Sequence, residues 1–202
     1  MLKIYGTSMS RANRALWCAE ELGLKFEHAP VAPGTGTRTP DHLKLNPNGH
    51  VPVIDDDGVV IWESMAVNLY LAEKYGKPPF WPSSVGDHGR CYMWSTWAMT
   101  EIEPNTIAIF THTRMLPEAQ RRADVVASSK EALKAPLKVL NDHLSSREYL
   151  LGNDFTVADL NVASVVGLGA FAGVDFGPTP KLKAWLDKCN ARPANKKVRE
   201  HK

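Results

Sequence analysis

The sequence has few cysteines, no large surplus of either charge and no long apolar run. Its three cysteines, Cys18, Cys91 and Cys189, stand far apart and form no C-x-x-C pair, which argues against a zinc knuckle or a dithiol redox site. Basic residues number 24 and acidic residues number 22, whereas a nucleic-acid-binding protein usually has a much stronger basic bias. We therefore expect no metal ion and no nucleic-acid partner.

Two further absences concern membranes and secretion. No apolar stretch approaches the roughly 20 residues that a membrane-spanning helix requires. The opening residues, MLKIYG, lack the apolar segment of a secretory signal. We therefore expect a cytoplasmic protein with no membrane partner. The only basic cluster, residues 195–202, is expected to be a solvated tail.

The first 76 residues alternate between strand and helix patterns. A short apolar strand, LKIYG, precedes a segment in which alanine and leucine recur at the three- and four-residue spacings of an amphipathic helix. Further along, the dipeptide Asp57-Gly58 separates two apolar runs, which predicts a β-hairpin. Together with a second strand, KFEHAPV, and two more helical segments, the pattern predicts the order β-α-β-α-β-β-α.

The composition changes after a proline-rich connector. Residues 77–86 contain three prolines, which favour a stiff, non-helical segment. The patterns that follow are almost entirely helical. We predict an α/β domain over residues 1–76, a linker over 77–86 and an all-helical domain over 87–202. The stretch TVAD near residue 156 predicts a capping box, so Asp159 is expected to be structural.

Four segments, in this order, resemble the cytosolic glutathione S-transferase superfamily over essentially the whole chain. They are IYGTSMSRANRALWCAEELGLKFE, LNPNGHVPVIDDDGVVIWESMAVNLYLAEKYG, YLLGNDFTVADLNVASVV and LKAWLDKCNARPA. The first segment is similar to the start of bacterial, serine-type, theta- or delta-like members. The resemblance implies a thioredoxin-like N-terminal domain followed by an all-α helical bundle.

The same resemblance implies an enzyme of detoxification, a homodimeric glutathione transferase that uses glutathione as a co-substrate. The thiol of glutathione must become a thiolate to attack an electrophilic, mostly apolar small molecule. Two alternatives stay open. One is a glutathione-dependent isomerase, dehalogenase or peroxidase with the same site, and the other is a non-catalytic binding or assembly module that keeps the fold.

Serine-type members carry the hydroxyl that stabilises the thiolate between the first strand and the first helix. Ser10 lies four residues after Gly6 and four before Arg14, and both landmarks match the family pattern at Ser10. Ser8 is the second candidate. Ser10 is also well placed to cap the first helix, and the capping and catalytic interpretations are compatible.

The resemblance also assigns the residues that bind glutathione. It implies a cis peptide before Pro52, which turns the backbone of Val51 outward to pair with the cysteinyl part of glutathione as a short added strand. A plain strand-start bulge is the alternative. It further implies that Glu63 and Ser64 hold the γ-glutamyl end, although Glu-Ser is also an ordinary helix start.

The glycyl carboxylate of glutathione requires a cation or another hydrogen-bond donor. His50 stands where relatives often carry a basic residue, and Asn48 is expected to contribute. Arg38, His42 and Lys44 are the other candidates.

Overall fold

The computed structural model describes residues 1–201 and divides the chain into two compact units. The first unit consists of residues 1–81 together with the residues from Ala191 onward, and the second consists of residues 82–190. The predicted domain bounds rest on sequence patterns and the proline-rich connector, and they stay a prediction. Packing adds to them that the C-terminal segment lies with the first unit.

The described residues form four strands and nine α-helices. The strands are β1 (Leu2–Tyr5), β2 (Phe26–Ala29), β3 (Val53–Asp56) and β4 (Val59–Trp62). The helices are α1 (Ala12–Glu21), α2 (Pro40–Leu45), α3 (Ser64–Tyr75), α4 (Val85–Trp97), α5 (Glu103–Phe110), α6 (Ala123–His143), α7 (Val157–Phe171), α8 (Pro180–Asn190) and α9 (Pro193–Lys197). The predicted fold class is confirmed, with a β-α-β-α-β-β-α unit followed by helices.

The four strands make one mixed sheet in the order β2-β1-β3-β4. β1 runs parallel to β2 and antiparallel to β3, which in turn pairs antiparallel with β4. Ile4 of β1 lies opposite Ile54 of β3, and both side chains are fully buried. β4 is left at one edge of the sheet, where its apolar side chains stay partly exposed.

The turn between β3 and β4 follows the Asp-Gly signal. Asp57 has φ of 53° and Gly58 has φ of 91°. Two successive residues with positive φ make the tight turn that fits the twist of a β-hairpin, and Asp-Gly adopts that turn readily. The predicted hairpin is therefore confirmed.

Helix α1 buries its small and apolar side chains against the rest of the first unit. Ala12, Ala15, Leu16 and Ala19 are fully buried. The helix stops before Gly23, whose φ of 64° suits the left-handed conformation that ends many helices. Small residues let α1 pack closely, which matters because its first turn adjoins the candidate site.

The C-terminal segment packs on the other end of α1. The guanidinium of Arg192 pairs with Glu21, and the ammonium of Lys197 lies 3.6 Å from Glu20. Val198 is fully buried. Within the described residues the expected solvated tail is only partly solvated, because Lys197 and the His201 ring lie beside Glu20 and Val198 is buried, whereas Lys196, Arg199 and Glu200 are exposed. The last residue of that predicted tail lies outside the described part of the chain.

Helix α7 forms the buried centre of the second unit. Most of its side chains are buried, and Thr156 with Asp159 makes the predicted capping box. The Asp159 carboxylate also accepts hydrogen bonds from the Leu150 N–H at 2.8 Å and from Trp185 Nε1–H at 2.9 Å. Asp159 therefore ties the start of α7 to α8 and to the preceding loop. Among residues 1–201, no helix is both long and apolar enough to span a membrane.

Replacing Asp159 with alanine should lower the free energy of unfolding by at least about 3 kcal/mol, because several buried donors lose their shared acceptor. Urea unfolding of the purified variant measures this loss. Asp154→Ala is the matched control, since Asp154 is exposed, and it should change stability by less than about 0.5 kcal/mol. Equal losses in the two variants would contradict a structural role for Asp159.

Candidate active site

The loop between β1 and α1 lies directly against Val51. Gly6 opens this loop with φ of 126°. A Cβ atom added at Gly6 would stand 2.5 Å from Cβ of Ala12 and 2.9 Å from Cβ of Val51, closer than carbon atoms approach without displacement. Only glycine therefore allows the first turn of α1 and the segment before β3 to meet.

A buried hydrogen bond joins α1 to the start of α3. Arg14 Nη1 donates to Ser64 Oγ at 3.1 Å, and both side chains are buried. The sequence marks Arg14 only as a landmark for Ser10. In the folded chain Arg14 also sets the position of Ser64, so that Ser10, Val51 and Ser64 all adjoin the N-terminal half of α1.

Ser10 makes two local hydrogen bonds. Its hydroxyl donates to the Thr7 carbonyl at 2.7 Å and accepts from the Ala12 N–H at 3.1 Å. Accepting a first-turn N–H is the capping behaviour expected of a serine at a helix start, although the N-cap position itself belongs to Arg11. Because a hydroxyl has one proton, Ser10 must leave Thr7 to donate elsewhere.

Ser8, the second candidate, is held by the C-terminal segment. Its hydroxyl donates to the His201 carbonyl at 2.5 Å. The His201 ring in turn bonds Glu20 at 2.8 Å and lies across the rings of Phe26 and His28. Nothing in the sequence near Ser8 signals this contact, because the two partners are separated by almost the whole chain.

The segment from Asn46 to Pro52 carries four of the residues expected to bind glutathione, namely Asn48, His50, Val51 and Pro52. The Val51–Pro52 peptide is cis, as the resemblance implies. Val51 and Pro52 are buried, whereas His50 and Asn48 are exposed. The Asn48 carbonyl accepts from Arg38 Nη1 at 3.3 Å. The side chains of His50 and Asn48 are therefore open to solvent.

Besides Arg38, the remaining candidates for binding the glycyl carboxylate are Lys44 and His42, and both already contact other groups of the chain. Lys44 pairs with Asp41 on the exposed side of α2 at 3.0 Å. His42 is buried, and its Nε2 lies 3.0 Å from the His50 carbonyl oxygen. A buried ring bonded to the backbone serves the shape of the loop.

Glu63 has an unusual backbone. Its φ is 71° and its ψ is 113°, and its side chain makes no capping bond at the start of α3. A non-glycine residue in this region costs on the order of 1–3 kcal/mol, and such residues concentrate at functional sites. This conformation holds the exposed Glu63 side chain next to Ser64, a detail that the ordinary Glu-Ser helix start does not reveal.

The cysteines are poor nucleophiles in this environment. All three are free and buried. Burial raises the pKa of the Cys91 thiol to about 12, and burial also raises the pKa of Cys18, with a further contribution from the Glu21 charge. Cys18 and Cys91 therefore stay protonated near neutral pH, and a protonated thiol is a weak nucleophile. Within residues 1–201, no group of three or more His, Cys, Asp or Glu side chains is arranged to hold a metal ion.

A four-stranded unit with a cis-proline loop, followed in the chain by a helical unit, is the thioredoxin-like, two-domain architecture that the family resemblance implies. The family model of the glutathione S-transferase N-terminal domain matches residues 1–73, and that of the C-terminal domain matches residues 104–193. The chain belongs to the glutathione S-transferase family, and the expected enzyme class, glutathione transferase, is confirmed.

Relatives extend this similarity over the whole chain. The sequence is 30% identical to glutathione S-transferase GstB of Escherichia coli (strain K12), covering 98% of this chain and 97% of that protein. The fold superimposes with a TM-score of 0.90 on the theta class glutathione S-transferase from the citrus canker pathogen Xanthomonas axonopodis pv. citri with glutathione bound. That structure is 29% identical, and the match covers 98% of this chain and 96% of the other.

A relative of another kind is elongation factor 1-gamma of Prunus avium. It is 35% identical over 162 residues, which make up 78% of this chain and 37% of that protein. The family's fold is therefore also part of a longer protein whose name does not describe a transferase.

Proposed function

We propose that this glutathione transferase binds glutathione on its first unit and ionises the thiol for attack on an electrophilic, mostly apolar small molecule. The observation that carries the proposal is the convergence of Ser10, Val51 and Ser64 on the N-terminal half of α1, enforced by Gly6 and Arg14. One element thereby brings a hydroxyl, a backbone pairing edge and an anion anchor together.

The binding mode follows from the types of group available. The Val51 backbone would pair with the cysteinyl part of glutathione in the manner of an added strand. The Ser64 hydroxyl and the backbone N–H groups at the start of α3 would donate hydrogen bonds to the γ-glutamyl carboxylate, with the exposed Glu63 near the amino group. His50 and Asn48 would hold the glycyl carboxylate. We further propose that the protein acts in detoxification in the cytoplasm. The location is supported by the free, buried cysteines, because a reducing compartment keeps thiols from forming disulfides.

The share of thiolate stabilisation that Ser10 would supply follows from the energies of its hydrogen bonds. Lowering a thiol pKa by about two units requires roughly 2.7 kcal/mol of preferential stabilisation. Donating to the thiolate would exchange the neutral Ser10–Thr7 bond for a charge-assisted one, a net gain of about 1 to 1.5 kcal/mol. The remainder would come from the N-terminus of α1, whose dipole contributes about 0.3 to 2 kcal/mol. Ser10 thus accounts for about one unit of the two.

Ser10→Ala should raise the pKa of bound glutathione by about one unit, because one charge-assisted hydrogen bond is lost. The ultraviolet absorbance of the thiolate, titrated against pH, measures this shift. Turnover of an aryl halide below that pKa should fall about tenfold, because less thiolate is present.

Ser128→Ala is the control, since Ser128 Oγ also donates to a backbone carbonyl but lies in α6 of the second unit. An unchanged pKa and turnover in Ser10→Ala would show the assignment to be wrong. The same titration would then be made on Ser8→Ala.

A second candidate function is a non-catalytic binding or assembly module. Two observations favour it: the Ser10 proton already has an acceptor, and one relative is an elongation factor subunit. Immobilised glutathione and an aryl-halide absorbance assay separate the possibilities. Retention with turnover is the outcome expected of a transferase. Retention without turnover would favour an isomerase, dehalogenase or peroxidase, and the absence of both would favour the module.

We also propose that the protein is a homodimer that associates through the β4 edge. Val59, Val60 and Trp62 are 46%, 39% and 39% exposed. Apolar side chains grouped on an edge strand form the kind of surface that a partner covers. A second copy of this chain is the partner that the family resemblance implies.

Sedimentation equilibrium should give twice the chain mass for the wild-type protein and the single-chain mass for Val60→Glu, because a charge buried in an apolar interface is strongly destabilising. Val139→Glu is the matched control, since Val139 is an exposed valine of α6 in the second unit. A Val60→Glu protein that remains at twice the chain mass would refute this interface.

A further inference from the structure

Two buried side chains, those of His42 and Asn46, bond the same carbonyl oxygen of His50. His42 Nε2 lies 3.0 Å from this oxygen, and Asn46 Nδ2 donates to it at 3.0 Å. A carbonyl oxygen has two lone pairs, and here both are used. His50 itself has an exposed side chain, so the residue turns its backbone oxygen inward and its ring outward.

The inward carbonyl fixes the direction of the next amide. The cis peptides in the described residues precede Pro52 and Pro79, so the peptide between His50 and Val51 is trans. In a planar trans peptide the C=O and the N–H point in opposite directions. Pulling the His50 oxygen inward therefore drives the Val51 N–H outward.

The Val51 N–H has no internal hydrogen-bond acceptor among residues 1–201. An unpaired amide in a largely buried residue is uncommon, since most such groups are satisfied in native proteins. This donor belongs to the edge that the proposed function assigns to the cysteinyl part of glutathione. The two hydrogen bonds to the His50 carbonyl, on the opposite side of the same peptide group, therefore keep the Val51 N–H available for a ligand.

The two side chains are themselves firmly placed. Thr39 Oγ1 accepts from the His42 N–H at the start of α2, and the Asn46 N–H donates to the His42 carbonyl at 2.9 Å. Asn46 Oδ1 accepts from the backbone N–H of Asn48 at 3.0 Å and from its side-chain amide at 3.1 Å. Asn46 thus uses both ends of its amide, and its orientation is determined.

The second ring nitrogen of His42, Nδ1, leaves the side chain with one hydrogen-bonding role, which is at Nε2. Nδ1 is buried and has no hydrogen-bond partner in the described part of the chain. Facing a carbonyl oxygen, Nε2 must carry the proton. The His42 ring therefore acts through one N–H, and that N–H is directed at the His50 carbonyl.

We propose that His42 and Asn46 are positioning residues that orient the Val51 amide for pairing with the backbone of glutathione. The inference rests on the proposed function and deepens it. Neither side chain contacts the thiol, so both act on the binding of glutathione through the peptide plane that they share. A preorganised donor is not reoriented when the ligand arrives, which lowers the free-energy cost of binding.

Glutamine and asparagine at position 42 separate hydrogen bonding from packing. The amide nitrogen of glutamine lies at the same distance along the side chain as Nε2 of histidine, whereas that of asparagine corresponds to Nδ1. His42→Asn should therefore raise KM for glutathione about threefold to tenfold, the effect of one lost hydrogen bond, with little change in kcat. His42→Gln should restore KM to within about twofold of wild type.

Asn46→Asp gives a second, independent variant. It keeps the acceptor that Asn48 uses and removes the donor to the His50 carbonyl, so KM for glutathione should rise as in His42→Asn. His143→Asn is the matched control, because His143 Nε2 bonds the Leu150 carbonyl at 2.8 Å in the second unit. That control should lower thermal stability and leave KM unchanged.

The nuclear magnetic resonance order parameter of the Val51 amide tests the same point without a ligand. It should fall in His42→Asn and recover in His42→Gln, because the peptide plane loses and then regains a restraint. An order parameter unaffected by His42→Asn, a KM unaffected by both substitutions, or a Gln variant as impaired as the Asn variant would overturn the proposal. If the wild-type protein failed to bind glutathione, the proposed function would fail, and the order parameters would still decide the role of His42.

Discussion

The contact across Gly6 is the constraint on which the rest of the site depends. Two Cβ atoms, from Ala12 and Val51, occupy the space that a side chain at this position would need. The first turn of α1 is thereby pressed against the segment that precedes β3, so a serine in one and a pairing edge in the other become neighbours. Arg14 extends the same arrangement to Ser64. The site is a consequence of close backbone packing around one helix end.

Ser10 would cap the start of α1 and stabilise the thiolate through the same hydroxyl group. Its lone pair accepts from the Ala12 N–H while its proton goes to Thr7. Accepting a helix N–H does not prevent a hydroxyl from donating, so the helix start can persist while the proton changes partner. In the proposed site the thiolate would therefore compete with the neutral Thr7 carbonyl for the Ser10 proton. This competition is why we assign the helix terminus a share comparable to that of the serine.

The sequence predicts those features that depend on neighbouring residues. The Asp57-Gly58 turn and the Thr156–Asp159 capping box are each decided within four residues, and the structure confirms both. The contacts of Ser8 and His42 depend on where distant segments fall. A pairing such as Ser8 with His201 spans almost the whole chain and has no local pattern. The basic residues near the C-terminus likewise predict a solvated segment when they are considered alone. Their acidic partners, Glu20 and Glu21 at the end of α1, are far away in the sequence.

In the proposed site, recognition through backbone groups would separate binding from catalysis. The Val51 amide, the start of α3 and the loop that carries His50 would form an anchor for glutathione. Activation of the thiol would add to that anchor one proton at Ser10 and the orientation of one helix. Loss of that proton would leave the anchor intact, because Gly6, Arg14 and the His42–Asn46 pair would still shape it. On this proposal a single fold would support an enzyme and a binding module, and the acceptor of the Ser10 hydroxyl would decide between them.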